Sequence, residues 1–436
     1  MAISGRVPLL LALGVVAVWL RPAGSTVGLW LLVVAAFTLV DLWLAASPAR
    51  AVLRRREPGT VRLGDPAESV LTVGNDGPAA HGTLRLQVRD AWQPSAGATG
   101  NRHRARLGAG DRVALRTPLL PRRRGDLRAD GVTVRSWGPL RLAARQRRYG
   151  VPGVVRALPP FESRKHLPSR LARLRELDGR AAVRVRGQGT EFDSLREYVR
   201  GDDVRSIDWR ASARSAHVVV RTWQPERDRR VVLVLDTSRT SAGRVGAGEG
   251  QPRLDAAMDA ALLLGALASR AGDRVDLVAG DRRVRTRLRL GGSRDVAARM
   301  QDAMADLDPV LAEADWDALA GAVQGLGRGR ALLVLLTPLE PTAVLQGLVP
   351  VLPTLTRHHR VVLASVRDPE LSRLADERDD VDQVYGAAAA EQELRRRTWI
   401  ADVLRQHAVD VLEADAESLP PALADHYLAL KAQGLL

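Results

Sequence analysis

The sequence predicts a chain of mixed class, α/β plus all-β. Two N-terminal transmembrane helices come first, then a small β-sandwich-like module, then a domain built on a mostly parallel sheet. Three observations carry this. Ile3 to Leu20 and Val27 to Ala46 are almost wholly apolar. Between residues 57 and 156, short alternating runs are separated by turn residues. Beyond residue 229, aliphatic runs alternate with helical patterns, as parallel strands covered on both faces do.

Composition narrows the function. The chain has 436 residues, 46% of them hydrophobic and 26% charged, which is globular rather than disordered. Its formal charge is +15. Lys165 and Lys431 are the only lysines. Such an arginine skew, beside abundant Ala, Gly and Leu, marks a GC-rich genome more than phosphate binding, so nucleic acid is not an expected partner. No cysteine occurs, which excludes a thiol nucleophile, a disulfide framework and thiolate metal sites. Neither lysine has a glycine-rich approach, so there is no P-loop, and nucleotide-driven work falls to a partner.

Residues 1–50 are expected to form a transmembrane helical hairpin. The second apolar run has the length a span needs, and the first is near the lower limit. A cleaved signal peptide competes for the first run, but a second span follows at once and Pro22 to Ser25 fit a small-x-small cleavage site poorly. Arg6 stands near the start of the first run and Arg50, Arg54, Arg55 and Arg56 follow the second, against Arg21 alone in the turn. By the positive-inside rule both ends are cytoplasmic. This predicts a plasma-membrane protein in contact with lipid through two helices, its later domains in the cytoplasm. Asp41 is a candidate functional carboxylate; the reading we favour puts it within a turn of the interface or against the partner helix.

Residues 57–156 read as a β-rich spacer. Ser69 to Val73, Thr83 to Val88, Arg112 to Arg116 and Val132 to Arg135 are strands, with Asn75-Asp76-Gly77-Pro78 as a turn. Arg122-Arg123-Arg124-Gly125 is either a solvated turn or a contact for anionic lipid or an acidic partner. Residues 157–228 hold a linker helix, with Leu171, Leu174 and Leu177 on one face, and then a charged segment. There Phe192, Leu195 and Val199 predict a short helix ending at Gly201. Asp202-Asp203 then turns the chain toward Ile207 and Trp209, expected to be buried. His217 to Trp223 reads as a strand, on which His217 is structural.

Residues 229–416 predict a Rossmann-type sheet. Strands are expected at Val231 to Leu235, Arg274 to Ala279, Val284 to Leu290, Ala331 to Leu336, Arg360 to Val366 and Asp410 to Leu412. Helices fall at Leu254 to Ala271, Asp295 to Leu307, Trp316 to Leu326, Thr342 to Thr356 and Glu391 to His407. Residues 417–436 carry a C-terminal helix.

Strand Val231 to Leu235 runs into Asp236-x-Ser238-x-Thr240. This resembles the first loop of a von Willebrand factor A domain. The resemblance implies a metal-ion-dependent adhesion site in which Asp236, Ser238 and Thr240 are metal ligands for Mg²⁺, a cation that wants hard oxygen donors in an octahedron. The pattern then breaks. The expected Asp of the third loop is Pro338, no Thr stands near Ala314-Asp315 for the second, and Asp315 and Glu340 are offered as substitutes at the wrong spacing.

A longer pattern comprises Gly187, Gly189, Glu191, Phe192, Leu195, Arg196, Glu197, Tyr198, Gly201, Asp202, Asp203, Arg205, Ile207, Asp208, Trp209, Ser212, Ala213 and Arg214. With the two apolar runs, the Arg-Arg-Gly turn and the closing Tyr427-Leu-Ala-Leu-Lys431, it resembles a bacterial family known only as domain of unknown function fifty-eight. The resemblance implies a membrane-anchored protein with a von Willebrand A-like domain whose partner is a MoxR-type AAA+ ATPase. No reaction comes with it. The charged segment is then either a docking surface for that ATPase or an ion-pair clamp onto the α/β domain.

Catalytic residues are not expected. Glu191 with Asp202 or Asp208 could pair as acid and base, but G-x-S-x-G and H-E-x-x-H are absent. The function expected is that of a non-enzymatic scaffold or adaptor acting with the ATPase in the assembly or maturation of envelope or other protein complexes. A metal-dependent ligand-binding A domain is the alternative, and a carboxylate-based hydrolase stands behind it.

Overall fold

The computed structural model describes residues 1–436 other than 78–82, 185–190, 225–228, 247, 249, 292–294 and 328, with backbone alone for 178–184, 191–194 and 222–224. The chain divides into two units, Met1–Leu158 and Pro159–Leu436.

In the first unit a two-residue strand β1 (Ala2–Ile3) precedes two helices, α1 (Arg6–Leu20) and α2 (Gly24–Leu44). With the turn that follows it to Arg50, α2 is long and apolar enough to cross a membrane, with a mean hydropathy of 2.2. The 15 residues of α1 rise about 22 Å, short of a hydrocarbon core of about 30 Å. The expected pair of spans therefore reduces to one helix of spanning length and a shorter apolar companion. Asp41 lies in the last turn of α2 and is fully buried. It faces neither solvent nor α1. Its carboxylate accepts the amides of Leu140 (2.7 Å), Leu142 (2.7 Å) and Ala143 (3.0 Å), so it ties α2 to a turn of the β module. Gly138 permits this approach, because a Cβ there would fall 2.2 Å from the Asp41 carbonyl oxygen.

The module begins earlier than expected. Its strands are β2 (Ala51–Arg56), β3 (Gly59–Arg62), β4 (Ala67–Asn75), β5 (Leu84–Trp92), β6 (Arg102–Leu107), β7 (Arg112–Leu119), β8 (Gly125–Trp137), β9 (Ala143–Tyr149) and β10 (Val154–Leu158). Strands β2-β4-β7 form one sheet. The other runs β1-β9-β8-β10-β3, with β5 bonded to β8 and β6 to β5. Alternation sorts the side chains. Leu84, Leu86 and Val88 of β5 and Val132 and Val134 of β8 pack with Leu71 and Val73 of β4 and Leu115 of β7 between the two sheets. The expected turn at Asn75 forms, with the Asn75 side chain accepting the Gly77 amide at 3.1 Å; Pro78 lies outside the described residues. Arg124 of the Arg-Arg-Arg-Gly stretch is 8% exposed, so that stretch is not a wholly solvated turn.

The second unit opens with α3 (Leu167–Arg184). A separate hairpin follows, of β11 (Glu191–Glu197) and β12 (Val219–Gln224) with α4 (Trp209–Ser212) between them. The main sheet contains β13 (Arg230–Asp236), β16 (Arg274–Gly280), β17 (Val284–Gly291), β18 (Leu332–Leu336), β19 (Arg360–Arg367) and β20 (Val409–Asp415). Its order is β17-β16-β13-β18-β19-β20. All pairings are parallel except β16 with β17. The two-residue strands β14 (Arg244–Val245) and β15 (Gln251–Pro252) make a small ladder of their own.

Helices cover both faces, as a buried parallel sheet requires. Val231, Leu233 and Leu235 of β13 pack with α5 (Arg253–Arg270), α6 (Val296–Met304) and α12 (Leu419–Gln433). Val232 and Val234 turn the other way, toward α7 (Trp316–Gln324), α9 (Leu352–Thr356) and the end of α11 (Val381–Gln406). Short α8 (Pro341–Ala343) and α10 (Pro369–Asp376) complete the set. The closing Tyr427 and Lys431 have a structural task. Both bond the buried Asp273 at the turn from α5 into β16, at 2.5 and 3.0 Å.

Candidate functional site

The sheet order places a switch point at β13. The chain leaves β13 for β16 on one side and returns for β18 on the other, and a crevice at the carboxyl ends of such neighbours is where open α/β sheets take ligands. Asp236 ends β13 there and is 1% exposed. Its Oδ1 accepts the Ser238 amide at 2.7 Å. Its Oδ2 accepts the hydroxyls of Thr240 at 2.9 Å and of Thr337 at 2.7 Å. Ser238 and Thr240 share a further hydrogen bond of 3.0 Å. Burial pushes the Asp236 carboxyl above the ordinary carboxylate range, and the Ser238 amide with the surrounding hydroxyls works against that rise. Thr337, directly after β18, is the member that sequence reading missed. Its neighbour Pro338 drew attention as a lost carboxylate, while a hydroxyl carries no motif of its own.

The donor set does not fit a resident divalent cation. One carboxylate faces three hydroxyls, and its oxygens are engaged with them and with an amide. Asp315 and Glu340, the offered substitutes, are helix caps: Asp315 accepts the Ala318 amide at 2.8 Å and Glu340 the Ala343 amide at 2.6 Å. Among the described residues no three His, Cys, Asp or Glu side chains gather as metal ligands. Asp236, Ser238 and Thr240 meet as expected, but they close a polar loop instead of presenting ligands. Beside them a cavity of about 250 Å³ is lined by Arg239, Thr240, Arg253, Glu340, Glu393 and Arg397. Its charges are mixed, and Arg239 is paired with Glu313.

The charged segment folds differently from expectation. The Phe192, Leu195, Val199 spacing suits a helix, yet residues 191–197 are strand β11. The β-branched run Val218-Val219-Val220 with Thr222 supplies an antiparallel partner, and pairing overrides local spacing. Leu195 stands opposite Arg221 and Arg196 opposite Val220. Gly187 and Gly189 lie outside the described residues, and Glu191 and Phe192 are placed by backbone only.

The acidic residues shape the connection between the strands. Arg196 grips Asp202 with two bonds of 2.6 and 2.8 Å, and Asp202 also accepts the Val199 amide at 2.9 Å. Gly201 between them has φ +114°, a region that favours glycine. Asp203 caps a short turn by accepting the Arg205 amide at 3.0 Å. Asp208 caps α4, accepting the amides of Arg210 and Ala211 at 3.0 Å each and Nε of Arg221 at 2.8 Å. The Arg196 hydrogen bond, then the Val199 amide, holds Asp202 below the usual carboxylate range. The Ala211 amide, then Arg221, does the same for Asp208. Glu197, Arg205 and Arg214 are exposed. His217 precedes β12 and is exposed, not part of a core strand.

Trp209, expected inside, is 68% exposed, and Ile207 is half-buried. Leu195 (45%), Tyr198 (36%), Val199 (61%), Val204 (59%) and Val218 (42%) are exposed on the same hairpin. The capping of α4 by Asp208 holds the Trp209 backbone in place while its ring faces solvent.

Residues 194–384 match the family described as Protein of unknown function DUF58. The DUF58 match begins inside β11, takes in the capped turns and β13 to β19, and ends in the first turn of α11. No curated protein matches the chain. Among solved structures, the chain is similar to the CARDB domain of a Pyrococcus furiosus protein, seen in a crystal structure with di-metal ions and in an NMR solution structure. Both are 16% identical. They cover 25% and 24% of this chain and 87% and 94% of that one, with TM-scores of 0.19 and 0.15. Likeness at that level carries no argument about function.

Proposed function

We propose that the chain is a membrane-anchored, non-enzymatic scaffold whose β11–β12 hairpin docks a partner protein, and that the partner is a MoxR-type AAA+ ATPase. The observation that carries the docking reading is Trp209, 68% exposed on a turn capped by Asp208. Burying an aromatic side chain of this size is worth about 1.5–3 kcal/mol. An exposed tryptophan on a capped turn, on the same hairpin as exposed Val199, Val204 and Val218, has the make-up of an interface hot spot. Among the described residues the ion pairs Arg196–Asp202 and Arg221–Asp208 close within the hairpin. That favours a shaped surface over a clamp onto the α/β domain. The identity of the partner comes from the family resemblance.

The anchor in this reading is α2, with α1 beside it in the membrane. The arginine count then puts the later domains in the cytoplasm, where an ATPase works. We read the α/β domain as von Willebrand A-like. Its strand order, with one antiparallel edge strand, and Asp236-x-Ser238-x-Thr240 at the end of β13 support this. A metal-dependent adhesion function is not part of the proposal, because the Asp236 loop is closed on itself. Co-purification of the full chain with the ATPase, nucleotide present, tests the proposal; failure to associate overturns the partner.

A further inference from the structure

The solvent face of the larger β-module sheet is a grid of arginine. The register aligns alternate residues of β6, β5, β8 and β9 in rows across that face. The row at one end holds Arg106, Arg85 and Trp137. The next holds Arg104, Gln87, Arg135 and Gln146, and the third Arg102, Arg89, Thr133 and Arg148. Their opposite neighbours, Leu84, Leu86, Val88, Val132 and Val134, fill the core. No carboxylate stands in these rows; Asp130, near the third, pairs with Arg148 at 3.0 Å. The glutamines are used internally: Gln87 accepts from the Trp137 indole at 3.1 Å and Gln146 from Arg135 at 2.7 Å. A shallow cavity of about 150 Å³ opens between Arg89, Arg102 and Arg135. Like charges so close together repel, and nothing in the module's core requires them.

We infer that this face is a binding surface for an anionic membrane, met by the first unit where α2 enters the bilayer. The placement argues for lipid. The first row lies at the end of the sheet tied to α2: β9 begins at Ala143, whose amide bonds Asp41, and Arg145 reaches the carbonyls of Leu42 and Trp43 at 3.3 and 3.4 Å. Successive rows stand about 7 Å apart along the strands. The inference rests on the reading of α2 as the membrane anchor: a bilayer surface at that end lies nearest the first two rows, which stand about one Debye length apart, and arginines close to an anionic leaflet are attracted to it. Single-stranded nucleic acid would need several stacking platforms, and Trp137 is the one aromatic residue in the rows. The inference is independent of the hairpin and of its partner.

The test uses the full chain in neutral detergent, offered equal phosphatidylglycerol and phosphatidylcholine, with retained lipid counted by native mass spectrometry. The wild type should retain phosphatidylglycerol several-fold in preference. Replacing Arg85, Arg104 and Arg106 together by Gln, or raising salt to roughly 1 M, where the Debye length is about 3 Å, should remove most of that preference. The Lys triple variant, which keeps the charge, should retain it and shows that the Gln variant has not lost it by misfolding. Equal retention of the two lipids overturns the inference, as does a preference that survives the Gln triple. Polyglutamate binding that depends on the three arginines, without lipid preference, reassigns the face to an acidic protein and equally overturns it.

Discussion

Asp208, in the connection between β11 and β12, and Arg221, on β12, meet at 2.7 Å while Asp208 also caps the turn that carries Trp209. One carboxylate therefore fixes strand to helix and sets the direction in which an indole faces solvent. The neighbouring Arg196–Asp202 fork, at 2.6 Å, does the same for the loop around Gly201. The charged residues of this segment act first as a folding device, and the surface is its product.

The first prediction concerns pH. The folded Asp202 and Asp208 carboxyls are held below their ordinary value. Their contribution to the hairpin is present above the unfolded value of 3.8 and is lost as pH falls through the depressed folded values. Amide exchange at Val199 and Ala211 should stay protected at pH 5 and open on further acidification. Asp202→Asn should expose Val199, and Asp208→Asn should expose Ala211, already at neutral pH. Equal protection in the variants would mean that the ion pairs do not order the loop.

A second prediction concerns the β module. Arg55 and Asp90 form a bidentate pair with side chains 1% and 0% exposed. Ser69, Thr117 and Trp92 add hydrogen bonds to it, while Nε of Arg55 is buried without one. Removing one member strands the other charge in the core, so Asp90→Ala should cost about 3–5 kcal/mol in denaturant unfolding of the first unit. Replacing both residues with apolar ones should cost much less.

Much of the fold was legible in the sequence. Val231 to Leu235 reads as a strand buried on both faces, and the helices up to Gln324 lie within a few residues of their expected places, but α11 begins ten residues before the expected Glu391 and α10 was not expected. The failures have local causes. Ala51 to Arg56 was masked by three arginines, because a buried arginine cannot be told from a juxtamembrane one without its partner Asp90. Phe192, Leu195 and Val199 fit a helix until the strand at Val219 to Gln224 competes for the same backbone. Trp209 was assigned to a core because large aromatic residues are usually buried; its exposure depends on caps that act only in the fold. The arginine face was written openly in Arg102-x-Arg104-x-Arg106, but the arginine skew of the whole chain hid it.

A third prediction follows from Asp259, in α5, which accepts the Ser163 amide and hydroxyl and whose carboxyl is pushed up to about 6, chiefly by burial. An acid whose folded value is raised contributes stability below its unfolded value of 3.8 and loses it as pH climbs through about 6. The second unit should therefore be less stable at pH 7 than at pH 5 by about 1 kcal/mol, a difference that Asp259→Asn largely abolishes. Thermal melts of the two proteins across that range read it directly.

The Asp236 crevice gives a fourth. A ligand specific for the folded state raises the melting temperature, by the equivalent of about 2.7 kcal/mol at a hundred times its Kd. Millimolar Mg²⁺ or Mn²⁺ should leave the melting temperature of the wild type unchanged. Pro338→Asp, which supplies a second carboxylate, should make it respond. A response in the wild type would restore the adhesion-type reading.

The central claim is that the hairpin is a docking surface, and one measurement addresses it most directly: the affinity of the full chain for the proposed partner, a MoxR-type ATPase, with nucleotide, in the wild type and in Trp209→Ala. A substitution at so exposed a site should change stability by no more than about 0.5 kcal/mol. If Trp209 anchors the contact, affinity should fall at least thirtyfold, about 2 kcal/mol. Tight binding that is indifferent to Trp209 would contradict the account.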